Sequence, residues 1–299
     1  MKLVLANNQT DKFVDFHESL QADEKIYDYI GYRSLLFYFE KNVTSFINVE
    51  NQQNQSYYTG VYLNGYLSTP EIAVTAARVL GHNNIIYVNH ELGIAPSLTK
   101  LSAYAALAAE GISIPKTYGG SAYALLKGID SNTVQIPVPF ILKRADADRG
   151  IDNYKIDSYE RAAEILKSQE ERSLWVIQEF IQNDGFFLVS YYDSKAKFSI
   201  FRSLEVRPDG KEELAHMFKP KGGRNASLLD INELPETLRK QSDAAIAALN
   251  RQIGSVDLLY SAEQDEAYVL EVNYNPQLVT IETFKDVRQQ AFLDAIKDL

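Results

Sequence analysis

Apolar and polar positions along the 299-residue chain alternate between short runs typical of strands and longer amphipathic stretches typical of helices. In the first third, the apolar runs KLVLA, SFINVE, GVYLNGYL and NIIYV predict strands. One helix is predicted around residues 32–41 and a second over PEIAVTAARVL. Because strands alternate with helices, this part has the pattern of an α/β unit. We therefore predict a small α/β domain over residues 1–97.

The remaining two thirds continue the mixed pattern. Thr99 is placed to cap a helix that starts at Lys100, and VPFIL, LWVIQEFI, FFLVSYY and KFSIFRSLEV have the composition of strands. Pro235 is placed to start a further helix, GSVDLLY and AYVLEVN predict a hairpin, and the last residues predict an amphipathic helix. We expect two subdomains here, over residues 98–185 and 186–299.

Composition narrows the class of partner. Forty acidic against thirty basic residues give a net charge of −10, which argues against broad binding to nucleic acid or to an anionic membrane. No run approaches the roughly 20 apolar residues of a membrane span, and the apolar run at the start is too short for a signal peptide, so we expect a cytoplasmic protein. The chain has no Cys, which excludes disulfides and thiolate chemistry. The sequence does not decide whether the protein forms a homo-oligomer.

The hairpin within residues 253–278 carries the clearest chemical pattern. If paired residue numbers sum to 528, Asp257 lies opposite Glu271, with Cβ atoms about 5 Å apart. Strict alternation places Val269, Glu271 and Asn273 on one face and Val272 on the other. Two carboxylates at that distance repel by about 3 kcal/mol at an effective dielectric of 20.

A bound cation is the simplest compensation for this repulsion. Two carboxylates and an amide oxygen, with no His or Cys nearby in the sequence, suit Mg²⁺, or Mn²⁺ in its place, better than zinc. We therefore expect Asp257, Glu271 and Asn273 to be metal ligands. The same residues are also at home on an ordinary exposed hairpin face, and the register of a hairpin is the weak point of such a prediction.

GSVDLLY followed by YVLEVNYNPQL resembles the metal-binding end of the ATP-grasp superfamily. Upstream segments resemble the family in the expected order. TKLSAYAALAAEGISIPKT resembles the segment in which a lysine, here Lys100, precedes a helix and reaches nucleotide phosphate, and IPVPFILKRADADRGID resembles the strand that ends in the ATP lysine, here Lys143. The resemblance spans about residues 98–281 and implies an α/β ATP-grasp fold preceded by a small pre-ATP-grasp domain.

The resemblance also implies where the nucleotide is held. LWVIQEFI resembles the hinge strand of the family, which contacts adenine. The resemblance implies that four consecutive residues make these contacts: Gln178, Glu179, Phe180 and Ile181. Asp184 is the only acid near the position where many relatives bind ribose. The loop at residues 146–150 departs from the glycine-rich phosphate loop of the family, because it contains only Gly150, with Arg149 as a charged substitute for backbone donors.

Three basic residues complete the expected site. Arg202 lies where relatives place an arginine that binds the transferring phosphoryl group, with Arg207 as the alternative. FKPKGGRNASL resembles a basic loop of RimK-like relatives that faces ATP and the acceptor, which implies roles for Lys221 and Arg224 in catalysis and for Asn225 at ATP.

An ATP-dependent carboxylate–amine ligase, forming an amide through an acyl phosphate with Mg-ATP, is the activity that this resemblance implies. Its substrates are a small-molecule or peptide carboxylate and an amine, which the sequence does not identify. A degenerate nucleotide-binding module, an ATP-grasp kinase and a pure binding protein stay open as alternatives. The ligase chemistry needs no covalent enzyme nucleophile, which agrees with the absence of Cys.

Overall fold

The computed structural model describes residues 1–6, 27–66, 69–146, 152–183, 185–203, 226–274 and 284–299. Within these ranges the chain forms four β-sheets with helices packed against them, which confirms the predicted mixed α/β class. No helix in the described ranges is long and apolar enough to cross a membrane.

The N-terminal third builds two sheets. Its elements are β1 (Lys2–Ala6), β2 (Tyr27–Gly31), β3 (Leu35–Glu40), β4 (Val43–Asn48), β5 (Gln53–Asn54), β6 (Gly60–Leu63), α1 (Pro70–His82), β7 (Ile86–Val88) and α2 (Glu91–Ile94). A parallel sheet has the order β2-β1-β6-β7, and a separate antiparallel sheet has the order β3-β4-β5. Helix α1 packs its buried alanines on the parallel sheet.

The predicted helix at residues 32–41 is wrong. Tyr32–Ser34 forms a single turn of 3₁₀ helix, and strand β3 follows it directly. Phe37 of β3 lies opposite Phe46 of β4, and their ring centroids are 6.3 Å apart. The periodicity of a short apolar run does not distinguish a strand from a buried helix. Here the aromatic pair across β3 and β4 stabilises the strand.

The middle of the chain forms an antiparallel sheet with the order β10-β9-β11-β8. Its elements, with the helix that precedes it, are α3 (Lys100–Ala109), β8 (Thr117–Ser121), α4 (Ala122–Asp130), β9 (Phe140–Arg144), β10 (Asn153–Ile156), α5 (Tyr159–Lys167) and β11 (Leu174–Glu179). Helices α4 and α5 cover one face of this sheet, where Trp175 is fully buried. Below, it is called the small sheet.

The C-terminal part forms a five-stranded antiparallel sheet with the order β14-β13-β12-β15-β16, called the large sheet below. Its elements are β12 (Gly185–Tyr192), β13 (Lys195–Ser203), β14 (Ala226–Leu229), α6 (Glu236–Ala248), β15 (Gly254–Ser261), β16 (Glu266–Asn273) and α7 (Lys285–Asp298). Helices α3 and α6 share one apolar core with this sheet. Helix α7 packs in a second core with the N-terminal parallel sheet and β13.

This packing decides where the chemistry lies. Although α3 precedes the small sheet in the chain, its buried residues Ala103, Tyr104 and Leu107 pack with Val256 and Val272 of the large sheet. The first residue of α3 therefore lies beside the end of the large-sheet hairpin. The main chain there also bonds to the small sheet, because the Lys100 N–H donates to the carbonyl oxygen of Ala145, 3.2 Å away, just after β9.

Candidate active site

Asp257 and Glu271 lie opposite each other in the β15–β16 ladder, so the predicted register is confirmed at this position. Ser255 pairs with Asn273 in the same register. Gly254 allows this close approach, because a Cβ atom there would lie 2.4 Å from the carbonyl oxygen of Asn273. Two carboxylates and one amide are thus grouped at the end of the hairpin that lies away from its turn.

A β-bulge separates this end of the hairpin from the rest. Leu258 pairs with Val269, so Leu270 has no partner in the ladder. As a result Val269 and Val272 are both buried in the same core, and the expectation that Val269 shares the face of Glu271 is wrong. Bulges commonly re-aim side chains next to functional sites. This one lets Val272 stay in the core while Glu271 points to the other side of the sheet.

Tyr104 of α3 supports the bulge. Its hydroxyl donates to the Leu270 carbonyl oxygen at 2.7 Å, and the Val269 N–H donates to the carbonyl oxygen of Ser113 at 2.8 Å. Burial raises the pKa of the Tyr104 phenol, so the hydroxyl keeps its proton and remains a donor at neutral pH. Helix α3 and the segment after it therefore hold the irregular part of β16 in place.

Asp257 is held in an environment that disfavours its charge. Burial, followed by the repulsion from Glu271, raises the pKa of Asp257 to about 7, although Arg202, Lys100 and Lys143 oppose the shift. Its Oδ1 atom is shielded from solvent and has no hydrogen-bond partner among the described residues. Buried polar atoms normally have a hydrogen-bond partner, because a buried donor or acceptor without one costs about 1–3 kcal/mol of stability. A cation would supply the missing partner.

The donor set therefore fits a hard divalent cation such as Mg²⁺. In the described part of the chain no cluster of three or more His, Cys, Asp and Glu side chains forms a metal site. An ion between Asp257 and Glu271 would consequently need further oxygen ligands, such as the Asn273 amide, water or phosphate.

Lys100 lies next to this pair. Thr99 caps α3 as predicted, since its side chain accepts from the Ser102 N–H at 3.4 Å and the Ser102 hydroxyl accepts from the Thr99 N–H at 3.1 Å. This capping box fixes the start of the helix and the direction of the first side chain. The Lys100 Nζ lies 3.3 Å from the Glu271 Oε1, with only 12% of the lysine side chain exposed.

Lys143 of β9 is buried, and its ammonium is close enough to Glu271 and Asp257 to feel their charge. Below, Lys100, Lys143, Arg202, Asp257 and Glu271 are called the cluster. The Lys143 Nζ donates to the side-chain oxygen of Gln178 at 2.9 Å and lies 5.4 Å from the centroid of the Tyr104 ring. Burial lowers the pKa of Lys143 to about 8, while Glu271 and Asp257 oppose the shift. A buried ammonium that is held by a neutral amide and a ring face retains charge to offer to an anion.

The expected adenine-binding residues lie at and beyond the end of β11. Gln178 is buried, accepts from Lys143, and donates to the Thr117 hydroxyl at 2.9 Å, so its side chain orients the lysine. The Glu179 N–H is already bonded to the carbonyl oxygen of Lys116 at 2.9 Å. Phe180 lies 4.4 Å below the ammonium of Lys155, and the Ile181 carbonyl accepts from Asn183 at 2.7 Å.

Arg202 lies on β13 opposite Phe186 of β12, with its guanidinium 5.8 Å from the centroid of that ring. Its Nε atom is buried and has no hydrogen-bond partner in the described ranges. Arg288 of α7 is 2% exposed; burial lowers its pKa to about 10, Tyr192 opposes the shift and Arg202 adds to it. Two guanidinium groups therefore lie close enough to repel each other.

Five of the predicted site residues lie outside the described residues: Arg149, Asp184, Lys221, Arg224 and Asn225. The other ten are described. Lys100, Lys143, Arg202 and Glu271 each act electrostatically on Asp257, and Asn273 lies two residues after Glu271 on the same strand. The residues from Gln178 to Ile181 lie at the end of the small sheet.

Two residues beside the cluster were not predicted as site residues. Tyr104 lies four positions after Lys100, and this i, i+4 spacing places both on one helix face, a signal that the sequence contains. Arg288 comes from the last helix, α7. Apart from the hairpin residues Asp257, Glu271 and Asn273, every expected site residue lies more than thirty residues before it in the chain. Only the packing of α7 on the large sheet brings it near Arg202, so local sequence gives no signal for it.

A cleft opens beside Lys100 at the end of β16. Its lining combines the start of α3, the end of β16 and the segment after β9, including Thr99, Lys100, Tyr104, Asp146, Glu271 and Asn273. Charged and polar groups from both sheets therefore converge on one opening, which is where a polyanionic ligand and a cation could be held together.

Comparison with solved structures shows that the chain has the ATP-grasp fold. The chain is similar to the ATP-grasp ligase PsnB in complex with a precursor peptide and AMPPNP, with a TM-score of 0.63 at 12% identity, covering 99% of this chain and 97% of that one. It is also similar to the D-alanine–D-alanine ligase of Bacillus anthracis in complex with ATP, with a TM-score of 0.62 at 17% identity, covering 100% and 96%.

A RimK domain ATP-grasp protein from Sphaerobacter thermophilus has a TM-score of 0.62 at 12% identity, covering 99% of this chain and 100% of that one. No protein-family model and no curated protein matches the sequence. The likeness to these structures confirms the expected ATP-grasp fold over the full length of the chain.

Proposed function

We propose that this protein is an ATP-dependent ligase that joins a carboxylate to an amine through an acyl phosphate. One observation carries the proposal. The facing carboxylates Asp257 and Glu271 lie in a field of three cations, Lys100, Lys143 and Arg202, at the end of a hairpin that opens to a cleft. A polyphosphate with a divalent ion would match both signs of charge.

In this proposal each side chain has one task. Lys143 and Lys100 bind nucleotide phosphates as ground-state contacts, and Arg202 stabilises the charge of the phosphoryl group during transfer. Asp257, Glu271 and Asn273 would hold Mg²⁺, which would supply positive charge against the phosphate oxygens. Gln178 orients the Lys143 ammonium, and the residues from Glu179 to Ile181 adjoin the adenine.

The chemistry has two steps. A carboxylate oxygen of the substrate attacks the γ-phosphorus of ATP, a new O–P bond forms, and the bond to the β,γ-bridging oxygen breaks to release ADP. The amine nitrogen then attacks the acyl carbon, the C–O bond to phosphate breaks, and the nitrogen loses a proton to solvent. The products are an amide, ADP and inorganic phosphate.

The substrate class follows from the basic residues and from the similar structures. Lys221 and Arg224 are proposed to face the acceptor, with Arg149 at the phosphates, Asn225 at ATP and Asp184 at the ribose. PsnB was captured with a precursor peptide, and the Bacillus anthracis enzyme joins two D-alanines by name. We propose a small-molecule or peptide carboxylate and an amine as the substrates, as in a RimK-like ligase.

The test combines binding with intermediate trapping. Calorimetry should detect binding of ATP with Mg²⁺, and a ligand at one hundred times its dissociation constant should add about 2.7 kcal/mol to the free energy of unfolding. In a screen of amino acids and short peptides, hydroxylamine should convert the acyl phosphate to a hydroxamate, with ADP and phosphate released only when carboxylate is present.

Other outcomes would overturn the ligase assignment. A stable phosphorylated product without free phosphate would identify a kinase. Tight ATP binding with no turnover on any acid would identify a nucleotide-binding module, and no effect of ATP or ADP on melting would exclude all three activities.

A further inference from the structure

Arg251, in the short connection between α6 and β15, is 3% exposed and makes hydrogen bonds to three separate segments. Its Nε donates to both carboxylate oxygens of Glu91 at 2.9 and 3.1 Å. Its Nη1 donates to the carbonyl oxygen of Val272, and its Nη2 to that of Ser97 at 3.3 Å. Glu91 is 1% exposed and also accepts from the Tyr66 hydroxyl.

The two carbonyl contacts are made to main chain that lines the candidate site. Val272 is the residue between Glu271 and Asn273, so its carbonyl belongs to the stretch of main chain that carries both expected ligands. Ser97 lies two residues before the Thr99 cap that sets the direction of Lys100. One guanidinium thus holds the main chain on both sides of the 3.3 Å contact between Lys100 and Glu271.

The neighbouring residue, Gln252, bonds the connection to the segment that carries Glu91. The side-chain oxygen of Gln252 accepts from the N–H groups of Asn89 and His90 at 2.7 and 2.8 Å. The Asn89 side chain accepts in turn from the Ile253 N–H at 3.3 Å. Residues 89–91 and 251–253 are therefore joined by reciprocal bonds, and the position of the Arg251 guanidinium is set by the N-terminal domain.

Stability alone does not explain this arrangement. A buried ion pair is often no more stabilising than apolar residues of the same volume, because taking two charges out of water is costly. The planar fork of arginine, in contrast, can reach a carboxylate and two carbonyls at fixed angles, which neither lysine nor an apolar residue can do.

We infer that Arg251 is a positioning residue for the metal and phosphate site. Through Val272 it sets the spacing of Glu271 and Asn273, through Ser97 it sets the position of Lys100, and Glu91 holds it at the correct angle. The inference rests on the proposed function. It assigns the N-terminal domain a part in building the nucleotide site, which nothing in the chemistry of Asp257 and Glu271 alone requires.

The test separates positioning from stability with the double variant Arg251→Met/Glu91→Leu. Arg251→Met alone should lower the melting temperature strongly, because it leaves Glu91 buried without a counter-charge. The double variant removes both charges and should recover most of that loss. Its Mg²⁺ requirement for binding a non-hydrolysable ATP analogue, measured by calorimetry, should still rise about 10- to 100-fold, as is typical when outer contacts of a metal site are lost.

Two further variants make the result decisive. Arg251→Lys keeps the charge beside Glu91 but cannot reach both carbonyls, so it should fold and show the same raised Mg²⁺ requirement. Arg161→Met/Glu164→Leu removes an exposed Arg–Glu pair of α5, whose atoms lie 2.9 Å apart, and should leave the Mg²⁺ requirement unchanged.

The outcomes distinguish the two proposals. If Arg251→Lys and the double variant fold with the wild-type Mg²⁺ requirement, Arg251 has a structural role only and this inference is wrong, while the ligase proposal stands. If the wild-type protein binds no nucleotide with Mg²⁺ present, the proposed function fails at its own step.

Discussion

At the scale of single residues, the site is built from side chains whose surroundings oppose their charge. Burial lowers the pKa of Lys143 to about 8 and raises that of Asp257 to about 7. Such opposed shifts are found where a ligand is meant to supply the missing counter-charge, although structural networks show them as well. The fold therefore buries an ammonium, Lys143, that is suited to bind an anion, and a carboxyl group, Asp257, that is suited to bind a cation.

Replacing Lys143 with methionine should weaken nucleotide binding by about 10- to 100-fold, because a hydrogen bond from a charged group contributes about 1.5–3 kcal/mol. Calorimetry with an ATP analogue measures the change. Lys167→Met, which removes the same charge from an exposed position on α5, is the control and should bind as the wild type does. Equal affinity in all three proteins would exclude Lys143 from the phosphate site.

The pH dependence of the free energy of unfolding should show the lowered pKa of the buried Lys143 ammonium. The pKa of Lys143 is about 8 in the folded chain against 10.5 in the unfolded chain, so between these values the unfolded state binds more protons. The free energy of unfolding should therefore rise with pH in this window, by at most about 1.4 kcal/mol per pH unit, relative to Lys143→Met. Chemical denaturation from pH 7 to 10.5 checks this, and parallel curves for the two proteins would contradict it.

Glu271→Gln should abolish ATP-dependent turnover and leave the fold intact, because the change is nearly isosteric and removes one charge from the expected metal site. Binding of nucleotide without Mg²⁺ should persist. Circular dichroism, turnover and calorimetry together separate these effects. Loss of folding would instead show that Glu271 has a structural role.

At the scale of elements, the bulge at Leu270 is the irregular feature of the hairpin that carries the candidate site. Its carbonyl is bonded to the Tyr104 hydroxyl, so helix α3 and strand β16 set each other's positions. The register at Asp257 and Glu271 could be predicted, because it depends on the hairpin alone. The bulge could not, because its hydrogen-bond partners are the Tyr104 hydroxyl and the Ser113 carbonyl, which lie more than 150 residues away in the chain.

Tyr104→Phe should therefore cost about 1 kcal/mol of stability and also raise the Mg²⁺ requirement for nucleotide binding. Tyr191→Phe is the matched control, since it removes another buried hydroxyl, which is bonded to Ser242 and Asp243 at 2.7 Å and contacts none of the predicted site residues through that bond. Both variants should lose stability in thermal melts, and Tyr191→Phe should lose at least as much, because its hydroxyl donates to a carboxylate. Only Tyr104→Phe should change the metal response, and identical responses would show that the bulge is not coupled to the site.

At the scale of the whole molecule, the small sheet and the large sheet meet at the charged residues of the candidate site, and the sequence predicts each sheet better than it predicts their arrangement. Strand and helix positions follow from apolar patterns, with the error at residues 32–41 arising where such a pattern is ambiguous. The packing of α3 on the large sheet and of Arg288 beside Arg202 depends on contacts between distant segments. The division into subdomains at residues 97 and 185 stays a prediction.

The contact between Lys100 and Glu271 has a consequence for how ions compete in this protein. The ammonium is a tethered counter-ion that occupies the carboxylate before any free cation arrives. Under the proposed function, a divalent ion held by Glu271 would have to displace the ammonium, and the released lysine would then be available to the nucleotide phosphates. Lys100→Met should therefore bind Mg²⁺ more tightly than the wild type when nucleotide is absent, yet bind Mg-nucleotide more weakly, and calorimetric titrations with and without nucleotide would reveal this reversal of order.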